Sequence, residues 1–248
     1  MGYGDVLMTM GEARRLHEQN PGKTICLPRR EHPELYADIG YLTDNPTRAQ
    51  LHLTDTHPAT DRAKTTQQKI AFKNYRPYPA ELKLPQIDLS RFGDYVFIEP
   101  HTKTMTSANN RNWGWENFCA VVKRVPFRFV QPFYGPRVLP GVERILTKTF
   151  LDAVAVLKGA RTGLMAEGGM MHAAAAVRTP SVIIFGGFIS PQNTGYDMHS
   201  NLFVGGEPCG HRFPCPHCRE AMKQITVDQV VEALSRKLAE AGHTHVVA

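Results

Sequence analysis

The chain has 248 residues, 42% hydrophobic and 21% charged, enough apolar material for one large domain or two small ones around a substantial core. It contains no run of eighteen apolar residues, which excludes a membrane-spanning helix. The opening MGYGDVLMTMGEARRL lacks the basic start, apolar middle and cleavage site of a secretory signal, so the expected location is cytoplasmic. The net charge of +6 is spread without a block of five like charges. It suits an anionic ligand but does not choose among nucleotide, phosphorylated glycan, membrane surface and nucleic acid.

In chain order, the first part is polar with short apolar stretches. The pattern predicts a helix over 11–20, stopped by Pro21-Gly22, and a short strand at TICLP (24–28). Residues 43–68 read as loop with one short helix, and 75–85, with three prolines, as an extended linker. From Asp94 onward strands and helices alternate. Strands are predicted at YVFIEP (95–100), FRFVQP (127–132), TGLMA (162–166) and SVIIFGG (181–187). Helices are predicted over 113–124, over 149–160 with Thr149 as N-cap and Gly159 near the end, over 168–177, and over 226–241 capped by Thr226. This alternation implies an α/β fold with a parallel sheet covered on both faces. The change of character predicts a boundary near residue 90, between a smaller 1–89 domain and a 90–248 domain.

In such sheets ligands sit beyond the carboxyl ends of the strands, so the loops there are the places to look for chemistry. AEGGMMHAAAAV (166–177) follows one strand. Gly168 and Gly169 let backbone N–H groups approach a ligand at a helix start, where the macrodipole adds positive charge; this is a diphosphate seat. Glu167 is placed to bind a sugar or ribose hydroxyl, and His172 lies one turn into the helix. The alternative is a tight turn with a packed histidine. In HTKTMTSANNRNW (101–113), Thr106 and Ser107 offer hydroxyls and Arg111 a fixed charge suited to phosphate oxygens, with Lys103 nearby. At the N-terminus, Gly2 and Gly4 bracket a turn before Asp5, which is either a helix N-cap or a carboxylate serving as general base.

Of five cysteines, Cys26 and Cys119 stand alone in apolar segments as buried thiols. The others fall in CGHRFPCPHC (209–218), which also carries His211 and His217. Cys209, His211, Cys215 and Cys218 make the candidate set for a structural zinc; the other reading is reduced thiols capping a loop.

Taken together these pieces resemble glycosyltransferase family 9, the ADP-heptose:lipopolysaccharide heptosyltransferases. The resemblance is carried by Gly2-Tyr3-Gly4-Asp5-Val6-Leu7, by Thr106, Ser107 and Arg111 before Trp113, and by Glu167-Gly168-Gly169-Met170-Met171-His172. Pro180 and Phe185-Gly186 add to it, as does the cysteine-rich stretch before Ile225–Val230. It is dense over 94–235 and thin over 10–90. It implies a GT-B-like fold of two Rossmann-like halves, here a reduced N-terminal acceptor side and a C-terminal donor-binding domain.

The implied activity is inverting sugar transfer from a nucleoside-diphosphate sugar to an acceptor hydroxyl on a glycan of the lipopolysaccharide kind. No cofactor is required for the transfer. Asp5 would be the catalytic base. Thr106, Ser107, Arg111, Gly168 and Gly169 would hold the donor diphosphate, and Glu167 and His172 the donor sugar. Two substitutions depart from the family pattern: Glu167 stands where Asp is usual and Arg111 where Lys is frequent. The family also places a strand before the GxGD turn, at which this chain begins; either that strand is missing from this sequence, the start codon is mis-chosen, or the N-terminal half is reduced, and a missing strand would leave a sheet edge that a partner could cover. Three other readings stand beside this one. They are a sugar-nucleotide epimerase, a glycosyltransferase acting on a nucleic-acid acceptor, and a non-catalytic nucleotide- or nucleic-acid-binding module with a zinc knuckle.

Overall fold

Helix α1 (Tyr3–Gln19) starts further toward the N-terminus than its periodicity predicts. Gly2 is its N-cap, and Asp5 is not: its Oδ2 accepts the Gly2 N–H at 3.1 Å from the first turn, so Gly4 lies inside the helix rather than in a turn before it. The early start is possible because the two helical glycines are compensated by close packing. A Cβ on Gly4 would stand 3.3 Å from Gly169, and one on Gly11 would stand 1.8 Å from the Tyr78 carbonyl oxygen. The proline-bearing 75–85 segment is extended and crosses α1 at that point, with Ala80 buried and Arg14 donating to the Pro79 carbonyl. The computed structural model describes residues 2–28, 31–53, 69–101, 110–133 and 137–244.

Three two-residue strands form a small parallel sheet in the order β2-β1-β3: β1 (Ile25–Cys26), β2 (Leu42–Thr43) and β3 (Leu51–His52). The larger sheet begins with β4 (Val96–Glu99), followed by helix α2 (Trp115–Arg124) and β5 (Phe129–Phe133). Next come β6 (Glu143–Leu146), α3 (Phe150–Lys158) and β7 (Thr162–Ala166). Then follow α4 (Gly169–Ala176), β8 (Ser181–Ile184), the short α5 (Pro191–Thr194) and β9 (Ser200–Leu202). Helices α6 (Pro216–Gln224) and α7 (Val227–Thr244) close the described chain. The strands are all parallel, in the order β6-β5-β4-β7-β8-β9. Numbered within this half, that is 3-2-1-4-5-6, the doubly wound order, whose direction reverses between β4 and β7.

Alternation along the strands sorts the core onto two faces. Phe97, Val130, Met165 and Ile183 face α3, α4 and α1; Val96, Ile98, Phe129, Leu164 and Val182 face α2 and α7. The first of these apolar clusters takes side chains from both sides of residue 90, among them Val6, Leu7, Met10 and Ile25. Local caps hold where predicted. Thr149 accepts the Asp152 N–H and Asp152 accepts the Thr149 N–H; Thr226 and Gln229 exchange the same pair of bonds.

Four strands escape the periodicity: the two-residue β2 and β3, the second inside the stretch expected to be loop, and β6 and β9. β6 is an edge strand whose only buried side chain is Ile145, and its Glu143 and Arg144 are exposed, which blunts the edge against further pairing. β9 is three half-buried residues without an apolar run. No helix among the described residues is long and apolar enough to cross a membrane.

Beneath α4 the core carries a polar string. His172 Nδ1 lies 2.9 Å from Tyr196 Oη, and the Tyr196 ring meets His199 edge-on. His199 Nδ1 accepts the Ser181 N–H at 3.1 Å, and burial pushes its pKa down from 6.5 to about 4. The unfolded chain therefore takes up this proton first as pH falls. The neutral ring stabilises the fold fully above about pH 6.5, and that contribution is lost as pH falls through about 4. Urea unfolding at pH 7 and pH 4.5 is expected to differ by about 2–3 kcal/mol from this group. His199→Asn, which keeps an acceptor for Ser181, is expected to flatten that acid limb.

Candidate functional site

The switch point between β4 and β7 opens the crevice where a doubly wound sheet binds ligands. The chain leaving β7 supplies Glu167, Gly168 and Gly169 on one side; the chain returning from β4 supplies Arg111 on the other. Arg111 Nη1 donates to Glu167 Oε2 at 2.8 Å and to the Glu167 carbonyl at 3.4 Å. Its guanidinium carbon lies 5.2 Å from the centroid of the Phe188 ring. Glu167 is buried, and its N–H is held by the Ile184 carbonyl at the end of β8, so the ion pair is anchored to the sheet. Arg111 Nε is buried with no hydrogen-bond partner among the described residues. The guanidinium is thus fixed through Nη1 by Glu167, close to the start of α4.

That start is shaped for an anion. Gly168 has φ 154° and ψ −162°, a region open essentially to glycine, and a Cβ there would stand 3.6 Å from Arg111 Nη1. Met171 and His172 N–H both turn back to the Gly168 carbonyl, which leaves Gly169 and Met170 N–H as first-turn donors. The alanines beyond are fully buried, so the helix axis is held between the sheet and α1. Helix α1 brings its own N-terminus to the same place. A Cβ on Gly169 would be 3.2 Å from Gly4 N, and one on Gly4 would be 3.1 Å from His172 Cδ2. Both approaches are tight, and they hold the first turn of α1, which carries Asp5, against the start of α4. Tyr3 stacks on Phe150 with centroids 4.0 Å apart and secures that end of α1.

The structure therefore brings together Arg111, Glu167, Gly168 and Gly169, with Gly4, the neighbour of Asp5 on α1, against Gly169. His172 belongs to the floor: it is 2% exposed and hydrogen-bonded to Tyr196, as a packed histidine would be. Glu167 is committed to Arg111 rather than open to the mouth. Thr106, Ser107 and Lys103 lie outside the described residues.

The cysteine-rich stretch packs against this site. Sγ–Sγ separations are 3.2 Å for Cys209–Cys218, 3.8 Å for Cys209–Cys215 and 3.7 Å for Cys215–Cys218. Tetrahedral zinc with Zn–S near 2.3 Å puts its S···S edges at about 3.8 Å. The fourth member is His217, not the predicted His211: the ligand atoms of Cys209, Cys215, His217 and Cys218 all lie within 4.8 Å of one another. His211 is used through its backbone, bridging Lys69 in an antiparallel pair and giving its N–H to Cys209 Sγ. His217 sits in the first turn of α6 next to Cys218, and its ring fills the space over Gly187, where a Cβ would be 2.7 Å away. Cys215 is the N-cap of α6. Burial pushes its thiol up, but the His217 and Cys218 N–H groups and the neighbouring thiols outweigh this and hold it below the ordinary value. Burial and the same neighbours push Cys218 up. Three thiols and an imidazole, one thiol with its pKa held below the ordinary value, fit a metal ion as ligand set and spacing. Cys26 and Cys119 are both buried, as predicted, and neither forms a disulfide.

His217, Asn110 and Phe188 were the residues sequence reasoning passed over or set aside. Asn110 and Phe188 carry no motif signal; only their packing around Arg111 marks them.

The doubly wound half, with α1 packed on the mouth of α4, shares its fold with solved glycosyltransferases. Similar solved structures are the iron-containing dodecameric glycosyltransferase TibC from enterotoxigenic E. coli H10407 and the same heptosyltransferase in complex with ADP-D-beta-D-heptose. The first is 19% identical, covering 96% of this chain and 76% of that one, with a TM-score of 0.68. The second is also 19% identical, covering 97% and 75%, with a TM-score of 0.67. A family 9 glycosyl transferase from Veillonella parvula DSM 2008 is 13% identical, covers 79% and 64%, and has a TM-score of 0.50. No protein-family model matches the chain, and no curated protein matches it.

Proposed function

We propose that this chain is an inverting glycosyltransferase that moves a sugar, of the ADP-heptose kind, from a nucleoside-diphosphate donor to a hydroxyl of a glycan acceptor. The observation that carries this is the meeting at the switch point of the Arg111 guanidinium, held by Glu167 with its buried Nε unpartnered, and the Gly169 and Met170 N–H groups of the α4 terminus. Fixed donors aimed at one spot stabilise the charge that grows on a departing diphosphate. Residues 90–248 form the donor side and 1–89 the acceptor side. Asp5, rigid on α1, takes the proton of the acceptor hydroxyl. That oxygen attacks the anomeric carbon from the face opposite the diphosphate, the bond from that carbon to the diphosphate oxygen breaks, and the nucleoside diphosphate leaves with the electron pair on Arg111 and the α4 terminus. Thr106 and Ser107 supply further hydroxyls to the diphosphate. Glu167 holds the guanidinium and borders the donor sugar, and His172 supports the floor beneath it.

The Cys209–Cys215–His217–Cys218 knuckle holds a structural metal, zinc or iron, with no part in the transfer. The protein works as a homo-oligomer, as the dodecameric TibC suggests.

Calorimetry with ADP, followed by a donor-consumption screen across nucleotide sugars with glycan and DNA acceptors, tests the reading. The wild-type chain is expected to bind ADP and to consume an ADP-sugar. Asp5→Asn, which keeps an acceptor for the Gly2 N–H, is expected to bind ADP within about two-fold of wild type and to lose transfer by about 100-fold or more. Full turnover by Asp5→Asn removes Asp5 from its role, and no ADP binding by wild type removes the donor site.

A further inference from the structure

We propose that Asn110 is a positioning residue that couples the Cys/His knuckle to the guanidinium of Arg111, so that a metal on the knuckle and a diphosphate at Arg111 strengthen each other's binding. The proposal rests on the donor-site reading above.

Asn110 is 3% exposed, and its side chain is committed wholly to the knuckle. Its Nδ2 donates to the His211 carbonyl and to the Phe213 carbonyl, both at 2.8 Å, and its Oδ1 accepts the Cys215 N–H at 3.0 Å. Each of these partners is a thiol-bearing residue or lies two positions from one. The amide thus reads the spacing between Cys209 and Cys215, which a cation bound by the three thiols would fix more tightly than their mutual contacts do. The next residue is Arg111, and two positions further on Trp113 is pinned by its Nε1 to the Ile225 carbonyl at 2.7 Å. The short 110–113 run is therefore fixed at both ends, with the guanidinium between them.

A second tie runs parallel to the first. Cys209 N–H donates to the Gly187 carbonyl at 2.9 Å and Gly210 N–H to the Phe188 carbonyl at 3.1 Å. Phe188 is the ring beside the guanidinium. Gly186 completes the contact, since a Cβ there would stand 3.2 Å from the Asn110 carbonyl oxygen. The segments that bound Arg111 on two sides are both hydrogen-bonded to the metal-ligating stretch. A loosened knuckle moves the guanidinium against the α4 terminus, and misplacement of about 1 Å is enough to weaken a site of this kind. Coupling of this sort is reciprocal between the two ligands.

The test is calorimetric titration of ADP into the full chain, metal-loaded and chelator-treated, with metal content measured in every sample. Wild type is expected to lose about ten-fold in ADP affinity on chelation, and to bind metal about ten-fold tighter when saturated with ADP. Asn110→Ala is expected to keep its metal yet bind ADP as weakly as the chelated wild type, with little further loss on chelation. In an Arg111→Lys background the same change is expected to add little, whereas a merely structural lesion would add its full effect. If Asn110→Ala loses its metal, the wild-type reciprocity alone decides. Equal ADP affinity with and without metal, or equal metal affinity with and without ADP, overturns the coupling while leaving the donor site standing. Absence of ADP binding in every sample overturns the donor-site reading itself.

Discussion

Arg111→Ala is expected to weaken ADP binding by about 100-fold or more and to lower the melting temperature together with it. The first effect follows from the loss of charge-assisted donors at the α4 terminus, each worth about 1.5–3 kcal/mol, and about 1.4 kcal/mol is a factor of ten in affinity. The second follows from Glu167, whose side chain is only 6% exposed and whose carboxylate would be left without its 2.8 Å partner. Removing one member of such a pair costs about 3 kcal/mol, or roughly 6–12 °C for a chain of this size. The two effects separate in the double variant Arg111→Met/Glu167→Gln, which leaves no buried charge. It is expected to regain most of the melting temperature and none of the ADP affinity. Recovery of both would mean that Arg111 serves the fold alone. Arg111→Lys probes geometry: it keeps the charge but loses the planar fork that lets one edge hold Glu167 while the other faces a phosphate, and an intermediate affinity is expected.

Purified under mild conditions, the protein is expected to carry one equivalent of zinc or iron, and chelation is expected to lower its melting temperature by about 10 °C or more. Cys218 is fully buried, Cys215 nearly so, and the knuckle is tied to Asn110, Gly187, Phe188 and Ile70, so its collapse removes packing well beyond the ligands. In such a site metal-binding free energy is folding free energy. Cys218→Ser is expected to abolish metal binding, and His217→Ala to weaken it. His211→Ala should leave the stoichiometry unchanged, because the His211 imidazole is outside the ligand group. Full retention of stability by a metal-free preparation would return the three thiols to the role of a loop cap. Loss of metal on His211→Ala would reverse the ligand assignment.

The elements of the larger sheet were legible because their signals are local. The strand runs at 95–100, 127–132, 162–166 and 181–187 needed only apolar content and a bounding proline or glycine. The caps at Thr149 and Thr226 needed a partner three residues away. α1 starts earlier than its periodicity predicts because Gly2 and Gly4 look like a turn until Gly169 is brought against Gly4. β6 was missed because an exposed edge strand shows no apolar alternation, and α6 because two prolines and three cysteines disguise a helix N-terminus.

By itself the sequence determined the alternating α/β order, the caps, the glycine turn at the mouth of α4 and the cluster of thiols, since each arises from interactions within a turn or one strand length. Only the tertiary structure decided that Arg111 meets Glu167 across 56 residues, that Gly4 meets Gly169, and that Asn110 ties itself to a knuckle more than a hundred residues on. It also decided that His217 and not His211 joins the thiols. Those pairings depend on strand order, on which helix ends converge at the switch point, and on how closely two backbones approach. They are consequences of closing long loops around a shared core, and no local pattern encodes them.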